Sequence, residues 1–80
     1  MEKVVQVKVI RPYVLDVEFS DGKRREIDLE DELLGEVFEP LMDPAFFKTA
    51  MVEGGTVAWP NGADFAPEFL YHHVRGAVKP

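Results

Sequence analysis

Hydrophobic and polar residues alternate from Val4 to Ile10, with Val5, Val7 and Val9 on one side and Gln6 and Lys8 on the other, the period of a half-buried strand. Arg11 and Pro12 end that run. A second alternation puts Tyr13, Leu15, Val17 and Phe19 on one face and Asp16 and Glu18 on the opposite one. Ser20-Asp21-Gly22 then reads as a three-residue hairpin loop in which Gly22 takes the left-handed conformation. That length sets Phe19 opposite Lys23, Val17 opposite Arg25 and Leu15 opposite Ile27, so the apolar faces coincide. It also sets Glu18 opposite Arg24 as an opposite-charge pair. A two-residue Asp-Gly loop would oppose Val17 to Glu26 and Leu15 to Asp28, carrying acids onto the core face.

At Asp28 the period becomes helical, because Leu29, Leu33 and Leu34 fall at helical spacing, Asp28 is placed to cap, and Gly35 stops the element after about two turns. Val37, Phe38 and Leu41 form an irregular apolar turn interrupted by Pro40. Asp43-Pro44 supplies a capping acid and a proline at the first helical position, starting a second short helix whose Phe46, Phe47 and Ala50 pack inward. Gly54-Gly55 turns a second hairpin with Val52 facing Val57, Ala50 facing Trp59 and Met51 facing Ala58. Both of its sides are apolar, which predicts a covered or central pair. Trp59-Pro60-Asn61-Gly62 is a turn signal, and a last helix runs from about Pro67 to Val74 and ends at Gly76. The expected fold is one α+β domain over residues 1–80. It has an antiparallel sheet of about five strands, a three-strand N-terminal meander plus a second hairpin, with two or three short helices.

Eighty residues, 46% of them hydrophobic, suffice for one core and not for two, and with no cysteine the core has no disulfide to reinforce it. The start of the chain lacks the pattern of a signal peptide. The longest uncharged stretch, Gly54 to Ala63, is too short for a membrane span, so a cytoplasmic location is expected. The formal charge of −6 repels a phosphate backbone and argues against direct nucleic-acid binding. It is also unevenly placed. Glu26, Asp28, Glu30, Asp31, Glu32, Glu36, Glu39 and Asp43 follow one another with no Lys or Arg between them, a one-sign field able to steer a basic partner.

Chemistry is sparse. His72 and His73 are adjacent, project about 100° apart on a helix and cannot chelate one ion together, so no metal or other cofactor is expected. His73 falls within the apolar arc of Phe65, Ala66, Phe69, Leu70 and Val74, as a partly buried histidine with a hydrogen-bond partner. His72 lies beside Glu68 and is exposed. The acidic run lacks the loop spacing of a calcium-binding hand, and acids in a first helical turn also complement the helix dipole. Lys23, Arg24 and Arg25 read as a solvated hairpin end. Trp59, Asn61 and Asp64 sit in a segment of the composition that binding loops use, against the plainer reading of a chain reversal with Asp64 capping the next element. No catalytic residues are assigned.

The strings Leu15-Asp16-Val17-Glu18-Phe19-Ser20-Asp21-Gly22, Ile27-Asp28-Leu29, Val37-Phe38-Glu39-Pro40-Leu41, Asp43-Pro44 and above all Trp59-Pro60-Asn61-Gly62-Ala63-Asp64 resemble a family of small bacterial proteins. It is the domain-of-unknown-function family twenty-four forty-two, and the resemblance runs from about Val5 to Tyr71. It implies an α+β fold, no assigned reaction, and an arrangement suggestive of toxin and antitoxin. Two functions of different class fit these residues. The first is a non-catalytic protein-interaction module docking a basic partner through the acidic run, with Glu30, Glu32 and Glu36 as its contacts. The second is a small-ligand or enzymatic domain using the Trp59 to Asp64 loop with His72 or His73. The oligomeric state stays open.

Overall fold

Two three-stranded antiparallel sheets carry the core in a computed structural model that describes residues 2–73. The first is a meander of β1 (Val4–Arg11), β2 (Val14–Phe19) and β3 (Arg24–Asp28). Leu15 pairs with Ile27, Val17 with Arg25 and Glu18 with Arg24, the register that the three-residue loop requires. Gly22 sits at φ +89° and its N–H donates to the Phe19 carbonyl at 2.9 Å, closing the loop. The ion pair departs from expectation. Arg24 reaches diagonally to Asp16 at 2.6 Å and not to Glu18 directly across, because diagonal neighbours lie within reach of a long side chain.

β1 departs further from its alternation. Val4 pairs with Phe19 and Gln6 with Glu18, which leaves Val5 as the extra residue of a bulge; a second irregularity between Val9 and Arg11 leaves out Ile10. Val4 is therefore buried, Val5 is 53% exposed, and Val7 and Val9 lean against the core. Tyr13, expected in β2, instead occupies the turn before it at φ +72°, a conformation uncommon for a residue with a side chain. Pro12 stands at the preceding turn position, where its fixed φ suits a turn that needs a positive φ next. Tyr13 is held there by its surroundings. Its carbonyl accepts from Leu29 N–H at 2.7 Å, its ring meets Phe47 edge-on at 5.6 Å, and its hydroxyl donates to the Met42 carbonyl.

The helix expected at Asp28 is a single 3₁₀ turn, Glu30–Glu32, with Asp28 Oδ1 accepting from Glu30 N–H at 3.0 Å. Leu29 and Leu33 are buried while Leu34 is 76% exposed, and two buried residues are too few to hold two turns of helix in water. Pro40 opens an element where an interruption was expected: Glu39–Met42 is a second 3₁₀ turn with Leu41 buried. α1 (Pro44–Phe47) begins as read, with Asp43 Oδ1 accepting from Ala45 N–H at 3.0 Å and Phe47 buried.

The second sheet runs β4 (Met51–Glu53), β5 (Thr56–Ala58), β6 (Asp64–Phe65), in that order. Val52 pairs with Val57 and Met51 with Ala58 as read, whereas Ala50 and Trp59 lie outside the ladder. Gly54 and Gly55 at φ +62° and +80° form the turn that this twist demands. The hairpin is not covered on both strands. β6 joins the far side of β5, which becomes central, while Met51 and Val52 on β4 stay 38% and 39% exposed. The strands among the described residues thus number six, one more than expected. The last helix is α2 (Pro67–His72) with Leu70 buried; its expected extension to Val74 and Gly76 lies outside the described residues. Val4 N–H donates to the Gly55 carbonyl at 2.8 Å, and β1 lies against β4 and β5, so the sheets share one core containing Phe19, Leu15, Phe47, Trp59 and Leu70. Among the described residues no helix is long and apolar enough to cross a membrane.

Candidate functional site

The acidic run folds into two facing walls. Gly35, at φ +93°, reverses the chain after the first 3₁₀ turn, and its carbonyl accepts from Phe38 and Glu39 N–H at 3.1 and 2.9 Å. Between the walls lies an open groove of about 460 Å³, lined by Leu33, Leu34, Gly35 and Met42 and bordered by Glu30, Glu36 and Glu39. Leu34 is 76% and Met42 41% exposed, so apolar surface stands open to solvent beside carboxylates. Glu30 and Glu36 both line the groove, together with Glu39. Glu32 is half-buried and does not line the groove.

Two residues outside the run hold its shape. Tyr13 bonds Leu29, at the foot of one wall, through its carbonyl and Met42, at the end of the other, through its hydroxyl. Asn61 Nδ2 donates to the Val37 carbonyl at 2.9 Å, and its Oδ1 accepts from Ala63 N–H at 3.1 Å. Of Trp59, Asn61 and Asp64, only Asn61 has a hydrogen bond to the acidic run, at Val37. Trp59 is buried, donating from Nε1 to the Phe47 carbonyl at 2.9 Å and packing against the Phe47 and Phe65 rings. Asp64 is exposed on β6 opposite Ala58 and does not cap α2, whose N-cap residue is Ala66.

The histidines diverge. His73 is half-buried, its Nε2 3.2 Å from the Asp28 carbonyl and its ring 5.0 Å from that of Phe69. His72 is exposed and shares a shallow depression of about 250 Å³ with Glu2, Glu68 and Tyr71. Neither this depression nor the acidic groove includes Asn61 or Asp64. Among the described residues no three His, Asp or Glu side chains are grouped as metal ligands.

Sequence reasoning missed the work of the basic hairpin. Arg25 is half-buried, and its guanidinium donates to the carbonyls of Leu70, Tyr71 and His73 at 2.9, 2.8 and 2.6 Å, closing the C-terminal end of α2. The signal was its place opposite Val17, which puts it on the core face. Beside it the Tyr71 hydroxyl donates to Asp21 Oδ2 at 2.6 Å, and Lys23 Nζ stands 4.9 Å over the Tyr71 ring. That hydroxyl, then the Lys23 backbone N–H, holds the Asp21 carboxyl below its ordinary value of 3.8.

A family model described as "Protein of unknown function (DUF2442)" matches residues 4–76. No curated protein and no solved structure matches the chain.

Proposed function

The chain belongs to the DUF2442 family of proteins of unknown function, and from that premise we propose that it is a non-catalytic interaction module that docks a basic protein against residues 26–43. The observation that carries this reading is the coupling of charge to exposed apolar surface. Glu30, Glu36 and Glu39 border a groove in which Leu34 and Met42 are open to solvent, a juxtaposition that charge serving solubility does not require. Charge of one sign around an apolar floor steers an oppositely charged partner and then gives it something to bury. The small-ligand reading has less support, because Trp59 Nε1 and both polar ends of Asn61 are engaged in internal hydrogen bonds. The family resemblance suggests a form for the docking, an antitoxin-like acidic partner of a small basic protein. The cysteine-free chain suits the cytoplasm as its place.

Affinity capture from the native host at low salt tests the proposal, with the parent and the E30Q/E36Q/E39Q variant as paired baits. The parent should retain a basic protein that the variant releases. Retention of the same proteins by both baits would overturn the reading.

A further inference from the structure

The walls of the groove determine what kind of segment it can hold. Three backbone N–H groups of the walls bond within the chain: Glu32 N–H donates to the Leu29 carbonyl at 2.8 Å, Leu41 N–H to Phe38 at 3.0 Å and Asp43 N–H to Pro40 at 3.2 Å. The walls are 3₁₀ turns, with no row of ladder groups for an added strand to pair with. An extended peptide would find no ladder there for the N–H and C=O groups it turns toward the apolar floor, which is costly. A helix brings its backbone bonds with it and presents only side chains.

Charge narrows the occupant further. The borders are Glu30, Glu36 and Glu39, so a second copy of this chain presenting the same face would bring acid against acid. The floor asks for bulky apolar side chains: Leu33 is buried, while Leu34 and Met42 offer exposed, adaptable surface. Tyr13 and Asn61 hold the walls before any partner arrives, which lowers the ordering cost of binding.

Building on the docking reading above, we infer that the groove receives an amphipathic basic helix of the partner protein. Apolar residues of that helix at i, i+3 or i+4, and i+7 seat against Leu33, Leu34 and Met42, and its flanking Lys or Arg residues meet Glu30, Glu36 and Glu39. Leu34 and Met42 then carry the specificity, and the carboxylates carry the approach.

Calorimetric titration with two synthetic peptides of about sixteen residues tests this, a length at which a helical stripe can form. One peptide sets Leu at helical spacing among Lys. The other has the same composition scrambled so that the stripe is lost and the charge is kept. The striped peptide should bind the parent on the order of tenfold or more tightly than the scrambled one, and L34S/M42S should abolish that difference. Both substituted residues are exposed, so the variant should keep the parent's melting temperature, and a melt run beside the titration checks this. Equal binding of the two peptides, or a preference unchanged in L34S/M42S, overturns the helix inference while leaving charge-driven docking standing. Binding of neither peptide to the parent overturns the docking reading itself.

Discussion

Replacing Arg25 by Gln should lower stability by about 2 to 3 kcal/mol, a large effect for a residue at the end of a basic hairpin. The guanidinium donates three hydrogen bonds to the last carbonyls of α2. A bond to a charged group contributes about 1.5–3 kcal/mol when well shielded, and a cation at a helix C-terminus adds about 0.3–1 kcal/mol. Arg25 is half-buried and water can replace part of what is lost, so the sum is discounted to the figure given. For a domain of this length that corresponds to a fall in melting temperature of roughly 10–20 °C, measurable by circular dichroism. Arg25→Lys should fall in between, because an ammonium keeps the charge but cannot reproduce the planar fork. Hydrogen exchange at α2 amides should quicken in both variants. An R25Q variant that melts with the parent would refute the reasoning, and an R25K variant equal to the parent would reduce the contribution to charge alone.

Gly22→Val should destabilise the domain by on the order of 1–2 kcal/mol. No atom lies within 4 Å of the added Cβ, so the cost is that of φ +89° alone, and an unchanged melting temperature would count against it. The bond between Asp21 and Tyr71 should weaken in acid. The folded carboxyl lies below 3.8, so its stabilisation is present above that value and is lost as pH falls through the lower folded value. A carbon-detected NMR titration should therefore place the Asp21 midpoint below 3.8 and move it upward in Tyr71→Phe; a midpoint at or above 3.8 in the parent would contradict the contact.

Much of the fold was legible because its turns carry their own chemistry. Ser20-Asp21-Gly22 dictated a register that the alternating strands could check, and Asp43-Pro44 and Gly54-Gly55 each left one local solution. What escaped has a common cause, the cover that distant elements give or withhold. The bulge at Val5 preserves composition while exchanging which valine is buried. Leu29, Leu33 and Leu34 have helical spacing, but the core receives only the first two, and the helix shrinks to one turn. β4 has the apolar sequence of a covered strand, yet β6 pairs with β5 on the other side. At the site, the acids were conspicuous and their count was informative, but Leu34, Glu39 and Met42 become neighbours only when Gly35 and Pro40 fold the run back. Tyr13 carried no signal of its own, since its positive φ and its bond to Met42 arise from tertiary packing.

The central claim, that this acidic face exists to engage a basic protein, is tested most directly by the association rate of the co-purified partner as a function of salt. Raising ionic strength from about 0.01 M to about 0.15 M shortens the screening length from about 30 Å to about 8 Å. The parent's rate should fall on the order of tenfold across that range, and E30Q/E36Q/E39Q should start slower and change little. Identical rates for parent and variant at both salt concentrations would contradict the account.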